Sequence, residues 1–432
     1  MARVFIIVDY PKANGIFIAL VNYKYVIMNL RWMKSTFVLA LVALINVSCM
    51  NWAARAVEKL PEVTALDKSY NYSGKVIIVG AGPSGLAAAK ILERNKIDYL
   101  VLEATDRFGG RLKKDTTLAD FPIDLGAEWI HSDPIVLNKI KGVSGTTIDE
   151  DLIPYHLESA AKWNGNSIKE VSKAELDFRY RFLPESKFKS STWYDFVEEN
   201  LARSVKSKIR FHSAVTSIDY SEDEVIVKTI DGKTYEADRV LVTVSVGVLK
   251  SESIEFTPAL DGKKKKAIEA INFRPGLKVA LKFSDSFYPN VIDCAPQGGE
   301  RTYYDMAFGR ETESHVLGFL CTGEESRRYI EYSSDEALVQ VLLEELDQMY
   351  TDRATELFTG EYRIERWSEY EYTRGTWTQA FEENPNHLRH LNRSLNNKVF
   401  FAGEINDPYR QMGVPGAILS GYHSIDELLS VD

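Results

Sequence analysis

The stretch Lys75-Val76-Ile77-Ile78-Val79-Gly80-Ala81-Gly82-Pro83-Ser84-Gly85 decides the reading of this chain. Its first half is a short β-branched run, the pattern of a strand buried on both faces. Three glycines follow at once, and residues 86–94 carry apolar side chains at helical spacing. Each glycine has a mechanical task. Gly80 permits the tight turn, Gly82 lets a pyrophosphate approach the backbone, and Gly85 lets helix and strand pack closely. The helix entered through Pro83 and Ser84 turns its free N–H groups and positive dipole end toward the phosphates. A second strand over residues 98–103 ends in Glu103, about 20 residues past the glycines, where a carboxylate accepts ribose hydroxyls. A lone Gly-x-Gly-x-x-Gly is a weak signal. Strand, helix, second strand and terminal acid in the right order make it a dinucleotide site.

The bulk properties narrow the remaining options. A chain of 432 residues has room for two or three domains of on the order of 150 residues each. Its 45% hydrophobic and 26% charged residues fit a globular protein rather than a disordered one. The net charge of −10, from 62 acidic and 52 basic residues, argues against a nucleic-acid partner, which wants a basic stripe. The one dense basic run, Lys263-Lys264-Lys265-Lys266, reads as a solvated helix start. Three cysteines exclude a disulfide scaffold, and whether Cys294 and Cys321 pair stays open. His387 and His390 lie three apart with no cysteine or carboxylate pair to complete a ligand set, so no metal site is expected. There is no Gly-x-x-x-x-Gly-Lys loop and no Gly-x-Ser-x-Gly turn.

Upstream of the turn, residues 1–74 read as a leader and linker. Apolar stretches at 15–30 and 36–47 flank Arg31 and Lys34, and the second is followed by Ala54-Arg55-Ala56. Basic flank, short apolar run and small-x-small tripeptide are the parts of a secretory signal. The run is too short for a comfortable span, which needs about 20 apolar residues. Met33 offers an alternative start, and an uncleaved leader would act as a membrane anchor. Asn46 argues against a lipoprotein signal ending at Cys49.

Downstream, Asp106-Arg107-Phe108-Gly109-Gly110-Arg111 and Asp124-Leu125-Gly126-Ala127-Glu128-Trp129-Ile130-His131 follow the Glu103-Ala104 pair. Near the other end stand Val399-Phe400-Phe401-Ala402-Gly403-Glu404 and Gly413-Val414-Pro415-Gly416-Ala417. On these residues the chain, over roughly 75–429, resembles the flavin amine oxidase family of monoamine, polyamine and L-amino-acid oxidases. The resemblance implies FAD: Arg111 on the pyrophosphate, residues 126–129 along the isoalloxazine, and Gly403 and Glu404 beside the ribityl and phosphates. Val414 and Ala417 would open a helix facing the flavin pyrimidine, and Val215, in His212-Ser213-Ala214-Val215, would contact adenine. Residues 223–230, the Asp231-Gly232 turn and residues 239–244 read as a hairpin and a buried strand.

The chemistry implied is oxidation of a primary or secondary amine, polyamine or monoamine, to an imine, with O2 reduced to H2O2. Such a flavoenzyme has little need of acid–base residues, because the cofactor carries the hard step. Lys278, in Gly276-Leu277-Lys278-Val279-Ala280-Leu281-Lys282-Phe283, matches the family lysine that holds a water against flavin N5. Its alternation partner Lys282 reads as an exposed strand residue. Trp367 and Trp377 match the segment that walls the amine site, though the two indoles also suit a plain core. His131 resembles a residue that bonds a distal substrate nitrogen, and a loop histidine reads equally well. Thr376 stands where monoamine oxidases carry a flavin-linked cysteine, so the resemblance implies noncovalent FAD.

Three departures stand out. Gly413 replaces the second aromatic of the family's cage, Thr105 replaces an arginine near the adenosine, and residues 132–192 are much shorter than the family's substrate arm. A shortened arm predicts a partly open cavity, and with it one alternative, an FAD-binding protein with little or no turnover. A second alternative, an FAD-dependent desaturase or other oxidase of an apolar substrate, shares the FAD motifs. The expected fold class is α/β, a discontinuous doubly wound, Rossmann-like FAD domain with an inserted α+β substrate domain. FAD parts are expected at 75–131, 204–252 and 396–432, and substrate parts at 132–203 and 253–395. Ser333-Ser334-Asp335-Glu336 reads as a capping box before a covering helix at 337–349.

Overall fold

The structure, a computed structural model, describes residues 6–8, 17–19, 63–182, 185–294, 299–378, 385–406 and 413–431. The chain divides into two units, residues 1–59 and 60–432. In the first, Ile6–Val8 pairs antiparallel with Phe17–Ala19. The rest of the expected signal, including its apolar run and cleavage tripeptide, lies outside the described residues. Among the described residues no helix is long and apolar enough to cross a membrane.

In the second unit, Lys75–Val79 forms the centre of a five-stranded parallel sheet. Asp98–Leu102 and then Ile209–Arg210 flank it on one side, Arg239–Val242 and then Val399–Phe401 on the other. In chain order the strands run third, second, first, fourth, fifth, so the order reverses beside the first strand. Such a switch point leaves a crevice at the carboxyl ends of the strands. The β-branched run explains the centre: Val76, Ile77 and Ile78 are wholly buried. At about 1.5–3 kcal/mol per fully buried aliphatic side chain, this strand is held by both its faces. Helix Pro83–Arg94 follows, and the last helix, Val414–Ser430, packs against it. A Cβ at Gly421 would lie 2.2 Å from the Ser84 carbonyl oxygen, so only glycine lets these helices approach.

The expected hairpin forms from Val225–Thr229 and Thr234–Ala237, paired antiparallel beside Val215–Asp219. Its Val225, Val227 and Ile218 share one apolar cluster with Ile77, Val79, Val240 and Phe401 of the parallel sheet.

A seven-stranded sheet makes the other main layer, in the order Phe358–Glu365, Gly276–Phe283, His315–Gly323, Gly299–Asp305, Val291–Asp293, Ala160–Trp163, Ile168–Glu170. Helix Asp335–Tyr350 sets Leu338, Leu342 and Leu346, four residues apart, against Leu277, Val279 and Leu281 of the sheet. Alternation then turns Lys278 and Ala280 to the opposite face, where Ala280 joins Ile123, Leu125 and Tyr304.

Two expectations need correction. The lysine run does start a helix, Gly262–Glu269, capped by Asp261, but Lys264 is wholly buried. Its Nζ donates to the Leu391 carbonyl at 2.7 Å and lies 3.8 Å from the Phe401 ring centroid. Burial lowers its amine to about 7. The cap of the covering helix is Ser334, whose hydroxyl accepts from the Ala337 N–H, one residue later than the box predicted. Within residues 132–192, Ser186–Phe188 pairs antiparallel with Leu152–Pro154, and Ser186 bridges Ile130. Cys294 and Cys321 are buried free thiols.

Candidate active site

At the carboxyl end of the central strand, Gly80 takes φ +106° and donates its N–H to the Leu102 carbonyl at 2.8 Å. A Cβ at Gly85 would stand 2.0 Å from the Gly80 oxygen, whereas one at Gly82 meets nothing within 4 Å. The first position therefore must be glycine for the fold, and the second leaves open space before the helix N-terminus. Across that space Gly110, at φ +55°, comes within 3.4 Å of the Gly82 Cα, measured from its would-be Cβ. Ser84 Oγ is buried there, with no hydrogen-bond partner among the described residues. Two bare backbones, a positive helix end and an orphaned hydroxyl fit the diphosphate of a dinucleotide.

Glu103 is buried and closes the floor. Its Oε2 accepts the Ala81 N–H at 2.8 Å, and its Oε1 accepts the Thr105 N–H and hydroxyl at 2.9 and 2.8 Å. A carboxylate offers about four acceptor sites, so one on Oε2 is left for a ribose hydroxyl. Thr105, the departure from the family pattern, serves here to fix Glu103. Ala104, half-buried, lies between them. Val215 is buried in the cluster that also holds Leu102.

Arg111 does not point its guanidinium at open space. Nη1 donates to Glu404 Oε1 at 2.8 Å and to the Thr376 carbonyl, and Thr378 Oγ1 donates to the same Glu404 oxygen at 3.1 Å. Arg111, Glu404 and residues 376–378 are thus tied together, and Gly126 fits only because it has no Cβ, which would meet the Arg111 oxygen at 1.9 Å. Gly403 donates its N–H to Ser420 Oγ, while Val414 is buried and Ala417 half-buried in the first turn of the last helix.

Residues 124–131 run past this point into a buried ionic cluster. Lys278 is 2% exposed, and its Nζ donates to the Asp124 carbonyl at 2.6 Å, the Gly126 carbonyl at 3.1 Å and Glu128 Oε2 at 2.6 Å. Tyr304 donates its hydroxyl to that same Oε2 at 2.7 Å. The other oxygen, Oε1, pairs with Lys187 Nζ at 2.5 Å, and Lys187 is 1% exposed. Burial alone would push the Glu128 carboxyl up, but the two ammonium groups override it and hold it down at about 2. Burial together with Glu128 pushes the Asp124 carboxyl well up. Burial lowers the Lys187 amine, with Glu128 opposing.

Trp129 covers this cluster. Its ring centroid is 4.8 Å from Tyr304 and 6.1 Å from Tyr155, and the Lys278 and Lys187 ammonium groups lie 5.4 and 5.9 Å from it. Cations at this range are attracted by the ring face. The indole Nε1 is buried without a partner among the described residues. Trp367 is tied to the same segment, its Nε1 donating to the Leu125 carbonyl at 3.0 Å. Trp377 sits apart, half-buried on a two-residue strand beside Phe273–Arg274, with the Arg274 guanidinium 5.4 Å from its ring. His131 is 64% exposed and its Nδ1 lies 2.9 Å from Glu185. Sequence reasoning named Asp124, Glu128, Trp129 and Lys278, but it missed Lys187, Tyr304 and Tyr155. Ser186–Phe188 is a three-residue strand with no periodicity to betray a buried lysine.

Comparison with known proteins agrees with this geometry. The profile described as "Flavin containing amine oxidoreductase" matches residues 186–429, more than half of the chain, and that of an NAD(P)-binding Rossmann-like domain matches 78–138. A lysine-specific histone demethylase 1B from Mus musculus is 25% identical over 84% of this chain, which spans 54%, about half, of that relative. Polyamine oxidase 1 from Zea mays is 26% identical over 82% of this chain and 90% of its own length. Among solved structures, putrescine oxidase superposes with a TM-score of 0.66 at 16% identity, covering 83% of this chain and all of that one. Cyclohexylamine oxidase from Brevibacterium oxydans gives 0.67 at 15% identity over 83% and 99%. The profile match, on a fold with a dinucleotide crevice at its switch point, identifies the chain as a member of the flavin containing amine oxidoreductases, oxidoreductases whose cofactor is FAD.

Proposed function

We propose that this protein is an FAD-dependent amine oxidase that converts a primary or secondary amine, a polyamine or monoamine, to the imine. Two electrons and two protons leave the C–N unit and reach O2 as H2O2, and water then hydrolyses the imine. Bound FAD supplies the electron acceptor. The observation that carries the reading is Lys278, a buried ammonium fixed beneath Trp129 on the segment that follows Gly110-Arg111. The chain's residues do the rest by position. Gly80, Gly82 and Gly85 admit the diphosphate, Glu103 takes a ribose hydroxyl, and Lys278 places a positive charge beside residues 126–129. Trp129, Trp367 and Trp377 supply flat apolar walls that exclude water and orient a neutral amine. The family pattern gives His131, exposed and paired with Glu185, a distal substrate nitrogen as its partner. Thr376 has no thiol to offer and donates its hydroxyl to the Arg274 carbonyl at 2.9 Å, which supports noncovalent FAD. The leader pattern supports a secretory or periplasmic route, with membrane attachment if it is retained.

A flavoprotein with little turnover is the second reading. It is favoured by the commitment of all three Lys278 N–H groups to protein acceptors. Anaerobic titration of the purified yellow protein with spermine, spermidine, a benzylic amine and amino acids decides between them. Bleaching of the flavin bands by an amine is the expected result and names the substrate class. A flavin that none of them reduces overturns the oxidase.

A further inference from the structure

We infer that Lys187 is a positioning residue: through the Glu128 carboxylate it fixes the Lys278 ammonium at the flavin segment whatever the pH of the medium. The claim rests on the flavin-site reading above and goes past it, to a residue that enters from the shortened arm. Its strand, Ser186–Phe188, is bound to the flavin segment directly, since Ile130 and Ser186 exchange both backbone hydrogen bonds at 2.8 and 3.1 Å. That pairing delivers Lys187 to Glu128 with almost no exposure.

The titratable groups facing Glu128 come from every element around it. They are Lys187 on its strand, Lys278 on Gly276–Phe283, Tyr304 on Gly299–Asp305, and Asp124 earlier on its own segment, with Arg310 adding a more distant positive charge. Burial and Glu128 push the Asp124 carboxyl well up. Two ammonium groups share the Glu128 carboxylate. With both present, Glu128 stays ionised down to about 2 and grips Lys278 throughout. With Lys187 removed, burial faces only one opposing ammonium, so the carboxyl moves up toward or beyond its ordinary range. On protonation Glu128 becomes a poorer acceptor, and Lys278 loses its charged hydrogen-bond partner. The expected signature is an acid limb in any property that needs Lys278 in place.

The test uses the full chain loaded with FAD and requires no amine. The flavin is reduced with dithionite, mixed with O2, and its reoxidation followed from about pH 8 to about pH 5 in wild type, Lys187→Met and Glu128→Gln. Relative to wild type, Lys187→Met should slow about fivefold or more toward the acid end, while Glu128→Gln, with no carboxyl to protonate, shows no such limb. Lys187→Gln keeps an N–H donor without charge and should behave as Lys187→Met, which guards against a variant that fails to fold. A second readout is the infrared absorption of protonated carboxyls in the apoprotein at about pH 5: Lys187→Met should gain a band relative to wild type, and adding Glu128→Gln should delete that gained band. A ratio that stays constant across pH, with no such band, overturns the role of Lys187. A protein that no amine reduces breaks only the oxidase reading, and a colourless protein leaves the infrared band to judge Lys187.

Discussion

The dinucleotide turn and the Glu128 cluster lie at two ends of one proposed cofactor site, and they are built in opposite ways. The turn is backbone: Gly80, Gly82, Gly85 and Gly110 act by what they lack, and its one acid, Glu103, is fixed by neighbours in the same short stretch. The cluster is side chain, with Glu128, Lys187, Lys278 and Tyr304 arriving from four separate parts of the chain. A site made of backbone constrains spacing, so it can be read along the chain. A site made of side chains constrains only where they end up, and the chain can supply them from anywhere.

Substitutions can break or sharpen that contrast. Gly85→Val has the largest expected effect, because its Cβ would meet the Gly80 oxygen; the protein should purify without flavin absorbance. Gly82→Ala, with open space around its methyl, should keep the fold and weaken FAD by about 1.4 kcal/mol or more, about tenfold, in a fluorescence titration. Wild-type affinity in Gly82→Ala would mean that the backbone there never meets the phosphates. In the cluster, Glu128→Gln leaves two buried ammonium groups without a counterion and should cost about 3–5 kcal/mol in denaturant unfolding. A loss under about 1 kcal/mol, the size seen for exposed pairs, would show that water reaches it. The sign with pH follows from Glu128 lying below its ordinary value. Its contribution to stability is complete above about 4.3 and is lost as pH falls toward about 2. Lys278→Met should leave the fold less disturbed and slow flavin reoxidation by about 100-fold, the scale for losing one preorganised charge. An unchanged oxidative half-reaction would remove Lys278 from the chemistry.

These differences mark how far the sequence was legible. The parallel sheet's core strand, its helix, the hairpin and the strand carrying Lys278 were all readable from periodicity and glycine spacing. Lys264 was misread because charge on a helix start ordinarily means solvent, and the carbonyl of Leu391, the ring of Phe401 and the charge of Glu427 make its burial tolerable. Lys187 was invisible for a related reason: a lysine between serine and phenylalanine has no local mark of its destination. The hydrogen bonds of Arg111 to Glu404 and Thr376 belong to the same class, since they join residues far apart along the chain.

The strand order of the parallel sheet also sets a timetable for the ribosome. Lys75–Val79 and its helix emerge early, yet Val399–Phe401, on the outer side of Arg239–Val242, and the helix Val414–Ser430 come last. At about 5–20 residues per second, the nascent chain carries an unfinished apolar sheet edge for on the order of tens of seconds. FAD can be captured in full only once residues 399–430 have emerged, so yield in an expression host should depend on chaperone supply and on free flavin at that moment more than on either earlier in elongation.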